Sequence, residues 1–295
     1  DGTHESTRYM LASSLMGGLY YSDDYGANWN NGGTDNWIQP GCGWAVFHPT
    51  NHNIWYASSS GNNKGGQALW IGNGGIYRTN NHGIEWHQIA DKTNFGNDIY
   101  AIVFKIVIDP INPKILYAAT SKGVYRTLDC EVNSPIWERK VSGFTFDLEL
   151  KPGNNHVIYS STYNDTEGCW RLMKSMDQGS SWVDLQFQPD LLTIKDVKNN
   201  YFTIEVSKAK PDFLYCTDLN GSTQWNPIGT FNNGGFGGGH GFGVEQVVNG
   251  EKIIVSNSIE LKGFNLNGSA ITVGSPVHVD VEDVIFHPYN ANEVW

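Results

Sequence analysis

Residues 74–86 read GGIYRTNNHGIEW, and the same pattern returns at residues 17–29, 123–137 and 171–182. Its core is Ser/Thr-x-Asp/Asn-x-Gly-x-x-Trp. In a hairpin turn of this kind, Asp or Asn accepts hydrogen bonds from backbone N–H groups and Gly takes the left-handed conformation, while Trp packs back on the sheet. A repeat of a few tens of residues built from strand-length pieces predicts an array of small sheets instead of one large core.

The recurrent polar residues of these turns are interpreted as structural, because a part used in every repeat more often holds a turn than performs chemistry. The third copy lacks the Gly and carries an enlarged turn. The assigned turn positions are Ser22, Asp24, Gly26, Trp29, Thr79, Asn81, Gly83, Trp86, Asp129, Trp137, Ser175, Asp177, Gly179 and Trp182.

A second element precedes each turn, namely two strands joined at Pro or Asn, as in residues 103–120, VFKIVIDPINPKILYAAT. Such runs of β-branched and aromatic residues read as hairpins. Each unit then has four strands, A to D, and four-stranded units around an axis predict an all-β propeller. We expect one propeller domain over residues 1–295, with about seven blades and incomplete at both ends as a fragment of a longer chain. The blades lie near residues 1–32, 44–90, 101–141, 146–186, 202–230, 244–272 and 281–295.

Because neighbouring strands run in alternating directions, the connections between them fall at two opposite ends of each sheet. The A–B and C–D turns would lie at one end of every sheet, the turn end, and the B–C and D–A loops at the other, the loop end. Irregular loops on a rigid scaffold usually carry the binding residues. Aromatic side chains exposed there would suit sugar rings or a peptide, although Trp also packs between blades. The candidate ligand-binding residues are Trp37, Trp70, Tyr163, Trp170 and Trp225.

The charge and the residue composition of the chain limit which kinds of binding partner are expected. A net charge of -11 and a pI near 5.2 argue against nucleic acid and anionic membranes, and the apolar runs are too short to span a bilayer. The four cysteines lack metal-ligand spacing, so we expect no metal and no cofactor. Isolated thiols and any of three disulfide pairings remain open. We expect a monomer that binds a protein or a polysaccharide.

The turns and the strand motifs resemble the Asp-box, or BNR, repeat of secreted β-propellers, and their pairing resembles sortilin-type propellers and the xyloglucanases of glycoside hydrolase family 74. This resemblance implies an extracellular or cell-surface protein. Family 74 enzymes use two Asp residues as acid and base, but Leu15 stands where the first is expected. Sialidases share the turn and need an arginine cluster, whereas Arg78 and Arg126 recur as repeat parts.

Two functions remain after this comparison of motifs. The favoured one is a binding propeller that holds a protein or glycan on its B–C and D–A loop face. The alternative is a glycoside hydrolase that cleaves a polysaccharide with two carboxylates. Asp165 and Glu167, in the fourth B–C loop, are the candidate catalytic pair, against the simpler interpretation of a solvated loop.

Overall fold

The computed structural model describes residues 9–14, 17–37, 39, 41–59, 75–185, 203–206, 214–216, 242–247, 250–256, 261–265, 270–271, 286–287 and 290–294. The chain divides into two compact units, Asp1–Leu148 and Glu149–Trp295. Within the described ranges the only helical element is the 3₁₀ turn Thr34–Asn36, and all other regular structure is β-strand. No described helix is long and apolar enough to cross a membrane.

The described strands form seven antiparallel sheets, which follow one another in chain order. In the first sheet, β1 (Met10–Ser14), β2 (Gly18–Ser22) and β3 (Asn30–Asn31) supply strands B to D. Sheets two and three are complete. They contain β4 (Cys42–His48), β5 (Asn51–Ser59), β6 (Gly75–Thr79) and β7 (His87–Ala90), then β8 (Val103–Ile108), β9 (Leu116–Thr120), β10 (Gly123–Thr127) and β11 (Glu138–Ser142).

The fourth and sixth sheets also have four strands, and the fifth and seventh each have two described strands. Four-stranded antiparallel sheets in sequence order are the blades of a β-propeller, as the repeat predicted. The remaining strands are β12 (Phe144–Lys151), β13 (Asn154–Asn164), β14 (Cys169–Ser175), β15 (Val183–Asp184), β16 (Ile204–Val206), β17 (Leu214–Cys216), β18 (Phe242–Val247), β19 (Gly250–Ser256), β20 (Leu261–Asn265), β21 (Ala270–Ile271), β22 (Phe286–His287) and β23 (Asn290–Val294).

Strand β5 shows how the first unit buries its sheets on both faces. Trp55 and Ala57 enter one hydrophobic cluster with Leu19 of the first sheet, whereas Tyr56 enters a second cluster with Leu116 of the third. Successive side chains of a strand point to opposite faces, so one strand supplies both clusters. Trp55, Tyr56 and Ala57 are fully buried. Hydrophobic packing between neighbouring sheets therefore stabilises the unit Asp1–Leu148.

Backbone hydrogen bonds join the C–D turn to the A–B turn, or to the first residues of strand B that follow it, within a sheet. The N–H group of His82 donates to the carbonyl of Asn53 at 3.1 Å, and Cys130 donates to Lys114 at 2.8 Å. In the fourth sheet Gln178 donates to His156 at 3.0 Å. At the opposite end of the third sheet, the B–C turn residue Ser121 donates to Ile102 at 2.9 Å. In these sheets the repeated turns share one end, as the strand directions predict.

Candidate functional site

Three of the four repeated turns have the same hydrogen-bond pattern. In the fourth copy, Ser175 Oγ accepts the N–H of Gly179 at 2.8 Å and donates to Asp177 Oδ1 at 2.9 Å. Asp177 also accepts the N–H and hydroxyl of Ser181 at 2.8 and 2.6 Å, and these bonds lower its pKa to about 2. Gln178 and Gly179 both have positive φ. The predicted combination of an acceptor Asp and a left-handed Gly is what closes this hairpin.

The first two copies repeat this pattern residue by residue. Ser22 Oγ accepts the N–H of Gly26 at 2.8 Å, and Thr79 Oγ1 accepts that of Gly83 at 3.0 Å. The N–H and side-chain amide of Asn28 bond to Asp24, whose pKa falls to about 2 mainly through the backbone bond. A carboxylate engaged in this way holds the turn in its ionised form. The polar residues of these copies serve the fold.

The turn tryptophans differ in what they contact. Trp86 Nε1 donates to Gly32 O of the first sheet at 2.8 Å, and Trp137 Nε1 donates to Ile89 O of the second sheet at 2.9 Å. Trp182 bonds within its own turn, to Gly179 O at 3.2 Å. Trp29 is 42% exposed. Trp86 and Trp137 therefore connect neighbouring sheets, in addition to packing on their own.

The third turn departs from the pattern. In the part of the chain that the structure describes, Thr127 Oγ1 accepts one hydrogen bond, from the N–H of Asp129 at 3.4 Å. Arg78, from the neighbouring strand β6, donates to the carbonyl groups of Cys130 and Val132 at 3.0 and 3.3 Å. Arg126, in the equivalent position of β10, lies 3.7 Å from the carboxylate of Glu138. Both arginines are 6% exposed. These contacts make them parts of the scaffold and do not assemble a sialidase-type carboxylate clamp.

Two of the predicted ligand-binding aromatic residues are buried, so the expected exposure was wrong for them. Trp37 is 8% exposed and stacks on Tyr77 with ring centroids 4.2 Å apart. Trp170 is 1% exposed and meets the partly buried Tyr163 edge-on at 5.7 Å. Both indoles pack within their own unit because large rings bury more apolar surface there than at an open loop. Trp70 and Trp225 lie outside the described residues.

Glu167, one of the two candidate catalytic carboxylates, does not have the environment of a general acid. Glu167 forms a close ion pair with Arg171, and this hydrogen bond lowers the pKa of the Glu167 carboxyl. A general acid needs a raised pKa in order to carry a proton near neutral pH. Asp165 is exposed in the same B–C turn. The structure therefore favours the interpretation of these residues as a solvated, salt-bridged turn.

The loop end of the third sheet carries an anchored and partly apolar surface. Residues 91–102 form the D–A loop, and Phe95, fully buried, fixes it by packing edge-on against Tyr125 with centroids 5.0 Å apart. Ile99 and Tyr100 remain 43% and 59% exposed. Beside them, Asp98 accepts the N–H of Tyr100 at 2.7 Å and pairs closely with Lys122 of the B–C turn.

The ammonium group of Lys105, in strand A of the third sheet, lies between an indole ring and a carboxylate. Lys105 Nζ is 2.8 Å from Asp147 Oδ1 and 5.0 Å from the ring centroid of Trp44. The side chains of Lys105 and Asp147 are 15% and 7% exposed. Leu148 also donates its N–H to Asp147 Oδ1 at 2.8 Å. An indole face and a carboxylate both stabilise an ammonium group that has lost most of its water.

Sequence reasoning missed this cluster, although a signal was present. Trp44, Lys105 and Asp147 each precede, by the same number of residues, the Pro of the A–B turn in their sheet. The strand register agrees, since a bulge follows Cys42 in β4 and the equivalent Val103 in β8. Aligning the A strands on that Pro would have brought the three side chains together. Tyr100 carries no sequence signal that separates an exposed tyrosine from a buried one.

The cysteines are outside this chemistry. Cys42, Cys130 and Cys169 are buried free thiols. Of the two alternatives for these residues, isolated thiols and disulfide bonds, the structure therefore has the isolated thiols. Burial raises the pKa of Cys42 to about 12 and that of Cys130 to about 11, so neither is a ready nucleophile. Over the part of the chain that the structure describes, no group of three or more His, Cys, Asp or Glu side chains is placed to hold a metal ion.

Solved structures resemble this chain in fold. The GH74 xyloglucanase from Xanthomonas campestris matches 98% of this chain and 48% of its own, with 14% identity and a TM-score of 0.62. An ancestral GH74 enzyme matches 90% of this chain and 31% of its own, with 15% identity and a TM-score of 0.50. No family model and no curated protein sequence matches the chain. The chain thus spans less than half the length of these structures, and the likeness shows that its fold is that of β-propeller blades.

Proposed function

We propose that this chain belongs to a glycoside hydrolase-like propeller that recognises a polysaccharide at the loop ends of its sheets. The observation that carries the proposal is the likeness in fold, over 98% of the chain, to a xyloglucanase. Polysaccharides of that kind lie outside cells, so we also propose an extracellular location. The negative charge of the chain agrees with an uncharged ligand.

The surface around Tyr100 supports this proposal in physical terms. Its exposed ring and the neighbouring Ile99 present apolar area to solvent, as sugar rings require for stacking. Phe95 and Ala101, 0% and 5% exposed, anchor the loop on either side. A surface that is already ordered loses little conformational entropy when it binds a ligand. Asp98 and Lys122, both partly exposed at this loop end, add groups that can hydrogen-bond hydroxyls.

Hydrolysis is the second candidate function, and the same likeness to xyloglucanases favours it. An inverting glycosidase needs two carboxyl groups roughly 6.5–9.5 Å apart, one of them with a raised pKa. Glu167 has a lowered pKa, and Leu15 occupies the position that resembles the family's first Asp. Binding is therefore the part of the function that the described residues support most directly.

The test is affinity electrophoresis of the purified chain in gels containing xyloglucan. We expect xyloglucan to retard the wild-type chain and Tyr100→Ala to restore most of the free mobility. Tyr25→Ala is the matched control, because Tyr25 is 56% exposed against 59% for Tyr100 but lies in a C–D turn. Equal retardation of both variants, or no retardation of the wild type by any neutral polysaccharide, would contradict the proposal. A reducing-sugar assay on the same samples separates hydrolysis from binding.

A further inference from the structure

A polar depression lies beside edge strand β7, and Tyr100 is not among the residues that line it. Its volume is about 200 Å³, and three segments line it: β7, the first part of the 91–102 loop, and the enlarged third turn. Pockets for drug-sized ligands usually measure about 300–1,000 Å³. The depression therefore suits one ring-sized molecule better than a long chain.

The enlarged turn is what builds one wall. In the other three copies Trp follows the Ser or Thr by seven residues, whereas Trp137 follows Thr127 by ten. The added length lies between Cys130 and Trp137, and its residues Asn133, Ser134 and Pro135 line the depression. The copy that departs from the repeat thus forms one wall of a concave surface.

Hydrogen bonds hold the walls in place. Asn133 Oδ1 accepts Arg78 at 3.1 Å, and Asn133 O lies 2.9 Å from His87 Nε2. On the facing wall, Asn94 Oδ1 accepts the N–H of Asp91 at 2.9 Å, and Asp91 Oδ1 accepts the N–H of Thr93 at 2.8 Å. A depression whose walls are already ordered has a small entropic cost of binding.

The functional groups of the side chains that line the depression indicate which class of ligand it would bind. Its polar side chains are amides, hydroxyls and one carboxylate, and it contains no Lys, Arg or His; they are Gln88, Asp91, Thr93, Asn94, Asn133 and Ser134. Amides and hydroxyls supply both donors and acceptors, which is what vicinal hydroxyl groups need. An anion would be repelled by Asp91 and by the net charge of -11. The apolar share, Ile89, Ala90 and Pro135, is too small for a lipid or an aromatic drug.

We propose that this depression binds a single neutral sugar ring, as a terminal or branching residue of a glycan. The proposal is based on the residues that line the depression, and it concerns a different site from the surface around Tyr100. It gives the enlarged third turn a role that the turn hydrogen bonds do not require.

Saturation-transfer NMR with methyl glycosides of glucose, xylose and galactose tests the site. We expect wild-type protein to give transfer to at least one glycoside, and Ser134→Trp to abolish it by filling the depression. Ser142→Trp is the control, since Ser142 is also exposed but lies outside the depression. The Thr93 hydroxyl donates to Asp91 Oδ1 at 2.5 Å and can still accept a hydrogen bond from a sugar hydroxyl. Thr93→Val, which keeps the size of the side chain, should therefore weaken binding by about tenfold, the effect of one lost polar contact.

The variants also keep this proposal distinct from the previous one. Transfer that persists in Ser134→Trp, or its absence from all three glycosides with wild type, would overturn the sugar site. Transfer that is lost in Tyr100→Ala and kept in Ser134→Trp would overturn it as well, and would place the sugar on the loop-end surface. Loss in Ser134→Trp with unchanged xyloglucan retardation would support the depression alone.

Discussion

Replacing Thr79 with Val tests the hydrogen bonds of the repeated turns, since Val keeps the shape of Thr and puts a methyl group in place of the hydroxyl. Thr79 is 1% exposed. Its Oγ1 accepts the N–H groups of Gly83 and Asn81 at 3.0 and 3.2 Å and donates to Asn81 Oδ1 at 2.9 Å. Thr127 occupies the same position in β10, is also 1% exposed, and accepts one bond of 3.4 Å. Thr127→Val is therefore a control matched in burial and strand position.

The two substitutions should differ because of what each leaves unsatisfied. The Gly83 N–H group is buried, and a buried donor without an acceptor costs about 1–3 kcal/mol. The bonds to the partly buried Asn81 add about 0.5–1 kcal/mol. We therefore expect Thr79→Val to lower the free energy of unfolding by about 1.5–4 kcal/mol. Thr127→Val should lower it by about 0.5 kcal/mol, because its single bond is long.

Thermal unfolding followed by circular dichroism measures this difference. Both residues lie in the unit Asp1–Leu148. For a cooperative unit of about 150 residues, each kcal/mol shifts Tm by about 2–4 °C, so Thr79→Val should lower Tm by roughly 3–16 °C. Urea denaturation at one temperature checks the value independently. Equal Tm shifts for the two variants would refute the reasoning, because the loss of stability would then come from replacing a buried side chain and not from the lost hydroxyl hydrogen bonds.

Two further predictions concern charges. Because turn hydrogen bonds lower the pKa of Asp24 and Asp177 from 3.8 to about 2, their stabilisation is present above pH 4 and is lost as the pH falls towards 2. Replacing both with Asn should flatten the fall of Tm across that range, and an unchanged slope would contradict the assignment. Lys105→Met should lower the free energy of unfolding by about 3–5 kcal/mol in urea, because Asp147 stays buried without its ammonium partner. The double variant Lys105→Met/Asp147→Leu should recover most of that loss, and a double variant as unstable as the single one would refute the ion-pair explanation.

Local interactions were the part of the structure that the sequence could predict. Ser175, Asp177 and Gly179 lie within four residues of each other, so their hydrogen bonds depend on the turn alone. The pairing of Glu167 with Arg171 is equally local. It was available from the sequence, because the two residues are four apart across a tight B–C turn, and considering it would have weakened the catalytic assignment.

Contacts between distant segments were the part that could not be predicted. Whether Trp37 is exposed depends on Tyr77, which lies in β6, 40 residues further along the chain. The composition of a loop does not report that packing, and the prediction of an exposed indole therefore failed. Lys105 and Asp147 are 42 residues apart in the chain, and only an alignment of the repeats would have placed them together. The enlarged third turn was recognised in the sequence, but the concave surface that it encloses required the position of β7.

The hydrogen bonds between C–D turns and A–B hairpins have a consequence for how such a protein can diversify. Each bond ties both hairpins of a sheet together at one end, as between Asn53 and His82, so strand pairing there is independent of what connects the strands at the other end. In the second sheet fifteen residues separate β5 from β6, and in the third only Ser121 and Lys122 separate β9 from β10. The same framework thus accepts segments of very different length, and new specificities can arise by insertion without redesign of the scaffold.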